Sequence, residues 1–288
     1  MLPRHPRGRG GFCTRGPPRK SPSPSLPDIE AETNEFFPQL LDVLKVRYML
    51  QWKLREGFPV ELIDEIIDDA EYWPSTAHHM VEGDQHRIIG TDRDQVLLKT
   101  VPLCYDRRNL EQPLPKKLPH RGAHPCRKII FHLSSHDQGS RGSVNDEMYS
   151  ASWTWFDTEV IRGAHNRKMY VNGEEQELLE DERGHVRRHF EPNDELLLPR
   201  QNKLQVNGKH VRKLQNNTIV WHYLDDIQCD SHEAHEIERN KGRGRSTLDG
   251  QYVRDLEVGD SIALWARARF PGWTNHVYRA SVRVFWAV

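Results

Sequence analysis

At 288 residues, with 36% hydrophobic and 29% charged side chains, the chain can form one large or two ordinary domains around a modest core. Its 41 basic and 42 acidic residues leave a formal net charge of -1, which gives no electrostatic case for a nucleic-acid partner. No run of about 18 apolar residues occurs, so no membrane span is expected.

The 4 cysteines, Cys13, Cys104, Cys126 and Cys229, lie far apart without a CxxC, which argues against a disulfide framework. Reduced thiols and the absence of an apolar secretory h-region imply a cytoplasmic, or nuclear, location.

From Met1 to Pro27 the chain carries Arg4, Arg7, Arg9, Arg15, Arg19 and Lys20, no acidic residue, and repeated Pro, Gly and Ser. Such a segment buries too little apolar surface to offset its ordering entropy, so residues 1–30 are expected to be a disordered basic tail. Its prolines interrupt the amphipathic helix that a transit peptide needs.

Residues 31–78 read as helical. In "EFFPQLLDVLKVRYMLQWKLREG", Leu40, Leu41, Leu44, Tyr48 and Trp52 recur at helical spacing, with Gly57 as the stop. In "FPVELIDEIIDDAEYW", Pro59 suits a first turn and Leu62, Ile63, Ile66, Ile67 and Ala70 make one stripe. Asp68 and Asp69 sit near the end where the helix dipole disfavours them, so docking rather than propensity is expected to hold this helix.

Beyond Trp73-Pro74 short β-rich runs alternate with turn residues. The clearest are "KIIFHLS", "SWTWFDTEV", "NTIVWHYL", "DSIALWARAR" and "ASVRVFWAV". Apolar residues fall on alternate positions in each, such as Ile129, Phe131 and Leu133, or Ile262, Leu264 and Ala266. That period belongs to sheets with one face on a core. The fold class predicted is mainly β: an antiparallel two-sheet sandwich, jelly-roll-like, over residues 95–288, preceded by short α-helices. Long polar connections fall around Gly163 to Asn202 and Asp225 to Gly250.

Ser134, Ser135, His136 and Asp137 are hydrolytic residue types, but neighbours on an extended chain point to opposite faces and cannot form a relay among themselves. No GxSxG elbow occurs. "CDSHEAHE" spaces Cys229, His232 and His235 by three, which suits zinc on a helix, yet it is not HExxH and no second ligand pair follows. "KGRGRSTLDG" is basic and Gly-rich without matching a P-loop, and a flexible connection is the stronger reading. Asn216-Asn217-Thr218 matches a glycosylation sequon and is expected to form a turn. No metal and no cofactor are expected. Most tryptophans of the β-rich half should be core, with Trp273 in the Pro271-Gly272-Trp273 turn the best candidate for an exposed ring. Trp153 and Trp155 share one strand face, Thr154 and Phe156 the other.

Two stretches resemble known families. "FPVELIDEIIDDAEYW" is similar to the opening helix of an F-box, in which Pro59, Leu62, Ile63, Ile66 and Ile67 would occupy the pattern that docks on a Skp1-type ubiquitin-ligase adaptor. "RKIIFHLSSHDQG", "SASWTWFD", "TIVWHYLDD", "GRGRSTLDGQYVRDLEVGDSIALWARARFPGWTNHV" and "SVRVFWAV" resemble blocks of a group of fungal proteins that often join an F-box-like start to this β domain. That pattern carries a Trp after Asp-Gln-Gly, where this chain has Ser140. The layout is also similar to F-box proteins whose galactose-binding-like, jelly-roll domain binds glycans.

The leading expectation is a non-enzymatic binding protein, a β-sandwich recognition domain that could serve as an F-box-like substrate receptor. Its adaptor-docking stripe would be Pro59, Leu62, Ile63, Ile66 and Ile67, and its recognition rim His136, Asp137, Gln138 and Trp273, holding a glycan or protein ligand. The alternative expectation is a hydrolase or metal-dependent enzyme using the Ser134–Asp137 loop or the Cys229–His235 cluster.

Overall fold

A computed structural model describes residues 36–53, 57–80, 86–91, 93–106, 116–139, 148–166, 170–171, 174–175 and 203–288. The basic tail and Ser140 lie outside them. Phe37–Val288 form one compact unit.

Alternation along the chain becomes two antiparallel sheets. The first has five strands: β1 (Ser75–His79), β2 (Arg87–Gly90), β4 (Cys126–His136), β9 (Gln215–His222) and β11 (Thr274–Trp286). Its order is β1-β11-β4-β9, and β2 shares with β1 the same edge of β11. The second sheet, of four strands, runs β3 (Gln95–Lys99), β10 (Ser261–Ala268), β5 (Thr154–Ile161), β8 (Lys203–Val206). Two-residue strands β6 (Tyr170–Val171) and β7 (Glu174–Glu175) pair with each other. The sandwich is as the alternation predicts, but strands start at Ser75, ahead of residue 95. β1 and β2 escape the sequence reading because they are short and carry no apolar alternation: β1 reads STAHH and β2 reads RIIG.

Ile129, Phe131 and Leu133 of β4, Ile219 and Trp221 of β9 and Val282 and Val284 of β11 point inward against Phe156, Ile262 and Leu264 of the other sheet, all in one core. Phe131 meets Trp221 edge-on at 4.8 Å between ring centroids. On β5 the predicted split of faces is seen: Thr154 and Phe156 are fully buried on the inner side, and Trp155 lies outside.

The outer face of the second sheet carries charge instead of a polar, solvated surface. Arg267 is buried there and reaches Asp157 (2.5 Å), Asp94 (2.6 Å) and Glu159 (3.4 Å). Burial pushes the Asp157 carboxyl up, against the pull of Arg267, and its Oδ1 has no hydrogen-bond partner among the described residues. Trp155 lies between Lys203 and Arg269, 5.1 and 5.4 Å from its ring.

Helices α1 (Leu40–Trp52) and α2 (Val60–Asp69) join the same core through Val43, Ile63 and Ile67. The Asp42 carboxylate accepts the Gln39 N–H and satisfies one orphan donor of the first turn. Gly57 is left-handed, and a Cβ there would come within 2.5 Å of the Gln51 carbonyl oxygen, so only glycine allows this turn.

The α2 carboxylates that oppose the helix dipole are matched by the sandwich. Arg121 pairs with Asp68 and lies 2.9 Å from Asp64, and Trp73 donates its indole N–H to Asp68 at 2.8 Å. Burial works to raise the Asp64 carboxyl, but hydrogen bonds and charge from Arg47 and Arg121 outweigh it and hold it low. Beyond α2, Glu71 bridges Lys128 and His222 of the five-stranded sheet. Among the described residues no helix is long and apolar enough to cross a membrane.

Candidate functional site at the crossover end

Three connections between the sheets meet at one end of the sandwich. β4 leaves through Asp137-Gln138-Gly139 towards β5, β8 crosses through Asn207–Leu214 to β9, and β10 crosses through Arg269–Trp273 to β11. A buried polar tetrad ties them from beneath. Ser135 donates to Asn207 Oδ1 at 2.8 Å, and the Asn207 amide donates to Asn275 Oδ1 (2.9 Å) and Thr154 Oγ1 (3.1 Å). All four side chains are fully buried, where an unmade hydrogen bond is expensive, so each holds the others in place.

Asp137 shapes the first loop. Its carboxylate accepts N–H groups of Gly139 (2.8 Å) and His210 (2.5 Å), and it is fully buried, which places it inside the loop rather than on its surface. Burial raises its carboxyl despite those backbone bonds. Gln138 accepts the Thr274 N–H at 3.2 Å and thereby joins this loop to the start of β11.

His136 faces outward. Its Nδ1 lies 2.5 Å from the Asp137 carbonyl, which can only accept, so Nδ1 carries the proton and Nε2 accepts from the Tyr278 hydroxyl at 3.2 Å. Its ring stacks on His276, which stacks in turn on His86 at 5.7 Å. Burial first, then the neighbouring His136 and His86, lower the His276 imidazole to about 4.

Two aromatic pairs flank the Arg269–Trp273 crossover. Trp273 stacks on His210 at 5.8 Å and is half-buried by it, so it is less exposed than its turn predicts. Trp153 meets Phe270 edge-on at 4.6 Å, both exposed. Phe270 sits at φ 67, a strained backbone for a bulky residue, and Thr91 holds its carbonyl. Such conformations persist where surrounding contacts impose them and recur at ligand-holding positions.

The structure therefore brings His136, Asp137, Gln138 and Trp273 to one end of the molecule. It adds His210, Trp153 and Phe270, which sequence reasoning misses because their pairing spans distant segments; the Phe-Pro-Gly-Trp turn is the only local signal.

The helical residues divide. Ile63 and Ile67 are 1% and 2% exposed in the core, whereas Leu62 and Ile66 are 45% and 41% exposed beside Pro59. Of the expected docking stripe, only Pro59, Leu62 and Ile66 are thus available at the surface.

The residues offered for catalysis are not arranged for it. Ser135 is buried on the inner face and spends its hydroxyl proton on Asn207, while Ser134 donates to Asn216 at 2.6 Å; neither meets His136. Cys229 lies in a turn ahead of α3 (His232–Lys241), so only His232 and His235 of the expected trio are on the helix. His235 is engaged by Ser231 and Arg245, His232 lies 3.9 Å from Glu236, and no cluster among the described residues could hold a metal ion.

The basic Gly-rich stretch follows the C-terminus of α3, where carbonyls point outward. Arg243 reaches the Val220 carbonyl and Arg245 pairs with Glu238, so it is no phosphate cradle. The sequon lies within β9 rather than a turn, with Thr218 meeting His132 at 3.1 Å. No protein-family model, curated protein or solved structure matches this chain.

Proposed function

We propose that this protein is a non-enzymatic substrate receptor. The crossover end of its sandwich holds a glycan or protein ligand, and its helical layer docks on a Skp1-type ubiquitin-ligase adaptor. One observation carries the recognition reading: two aromatic pairs, Trp273–His210 and Trp153–Phe270, flank the same crossover, next to the polar His136 and Gln138. Aromatic faces and edges with a few placed polar groups are how protein surfaces hold sugar rings and peptide side chains. For the adaptor, support comes from the outward Pro59, Leu62 and Ile66 and the F-box-like spacing that they share.

The test of recognition is a glycan array probed with the full chain, followed by tryptophan-fluorescence titration of any hit. Trp273→Ala and Phe270→Gly are expected to weaken binding at least about tenfold, which corresponds to about 1.4 kcal/mol. For the adaptor, the test is co-purification with Skp1, lost on Ile66→Asp; no binding by the parent chain removes the ligase reading.

A further inference from the structure

The helical layer presents two outward surfaces of opposite charge. On α1 and its C-cap, Lys45 and Lys53 point outward among Leu41, Tyr48, Met49 and Trp52, and no carboxylate of α1 is exposed. Asp42, its one acid, is drawn back to the Gln39 N–H. On α2, Glu61, Glu65 and Asp69 point outward beside Val60, Leu62 and Ile66, and the helix has no basic residue.

Both helices bury their other side in the same core, through Val43 and through Ile63 and Ile67, and Arg47 of α1 pairs with Asp64 of α2 at 2.5 Å, so the helices are neighbours on that core and their charged surfaces are turned from it. α1 is apolar on both sides, a pattern of helices covered on both sides. Trp52, 66% exposed, Leu41, 65% exposed, and Tyr48, Met49, Leu62 and Ile66 are large apolar side chains at the surface of these two helices, and exposed apolar groups in number mark association sites.

We infer that this layer is a homodimer interface in which α1 of one copy lies across α2 of the other, twice by symmetry. The inference rests on the reading of this layer as a docking face; it gives the free protein's face to a second copy of this chain, which an adaptor would have to displace. A twofold axis sets one patch against itself in reverse. A patch that is basic on one helix and acidic on the next then complements itself, while its apolar residues meet in the middle. A partner of a single charge sign would match one helix and repel the other, and an anionic lipid surface would repel Glu61, Glu65 and Asp69.

Sedimentation velocity of the full chain over about 1–200 µM tests this, with dimerisation expected in the micromolar range that modest interfaces give. Two charge-reversal variants carry the geometry: Lys45→Glu with Lys53→Glu, and Glu61→Lys with Glu65→Lys and Asp69→Lys. Each alone should associate at least about tenfold more weakly, because like charges then face each other. Mixed, they should form a one-to-one heterodimer, since each supplies what the other lacks. All five positions are exposed, and circular dichroism checks their fold; Trp52→Ser is a second disruption that leaves the charges unchanged.

A parent that stays monomeric at the highest concentration overturns the inference, as does a dimer that both reversals leave intact, or variants that fail to pair on mixing. Monomeric parent that binds Skp1, or that floats with phosphatidylserine vesicles, overturns it too. Skp1 binding would leave the docking reading standing, whereas a dimer without Skp1 binding removes only the adaptor.

Discussion

His276 lies flat against His136, with ring centroids 4.7 Å apart and planes 16° from parallel. The pair faces away from the core on adjacent strands, and each ring limits the solvent available to the other. Since the His276 imidazole falls from 6.5 to about 4 on folding, the unfolded chain binds more protons than the folded one between those values. Stability contributed by neutral His276 is therefore complete above about pH 6.5 and is lost as pH falls towards 4. Urea midpoints should drop over that window in the parent and drop less in His276→Gln. Equal slopes for the two proteins would count against this assignment.

Arg267 is the only described cation that reaches Asp94, Asp157 and Glu159 together. Removing it takes from buried Asp157 the cation at 2.5 Å, while Asp94 keeps Arg269. Arg267→Met should cost about 3–5 kcal/mol in urea unfolding, and adding Asp157→Asn should recover part of the loss. A loss under about 1 kcal/mol would show that water reaches the cluster.

Asn207 makes three hydrogen bonds that join both sheets beneath the candidate site. Asn207→Leu strands Ser135, Asn275 and Thr154, at about 1–3 kcal/mol for each group left unsatisfied. Its effect should be largest at the crossover end. Hydrogen exchange at residues 137–139 and 273–275 should rise, while β9 near Ile219 stays protected.

On α2, neighbouring isoleucines should behave oppositely. Ile67→Ala opens a cavity in the core and should cost about 2–5 kcal/mol. Ile66→Asp lies at the surface and should change stability by about 0.5 kcal/mol or less, while removing whatever docks there. Paired denaturation curves check this directly.

The thiols differ in the same way. Burial pushes Cys126 up to about 12 and raises Cys104 as well, whereas Cys229 is exposed. In a Cys13→Ser background, a disulfide reagent should label Cys229 within minutes and reach the other two only after denaturation. Rapid native labelling of Cys126 would mean that its strand opens locally.

Much of the architecture is legible from local pattern. Ile129, Phe131 and Leu133 alternate because one face of β4 is dry, and Ile63 and Ile67 recur because α2 has a dry side, while Leu62 and Ile66 stand at the surface. Local pattern could not say which half of that stripe faces inward, since both pairs lie on the same broad apolar face. Nor could it show that Asp137, polar and flanked by turn residues, is buried: its burial depends on the His210 N–H, 73 residues away.

By itself the sequence determined element type, through periods of 2 and 3.6 that are properties of a few consecutive residues. It also determined the position of the main strands, and that adjacent Ser, His and Asp could not form a relay. The tertiary structure alone decided which crossings meet. Ser135 and Asn207, 72 residues apart, meet across the two sheets, and His136 and Tyr278, 142 apart, are brought together by the pairing of β4 with β11. Register is set by the sum of many core contacts between segments distant in sequence, and no single segment carries it.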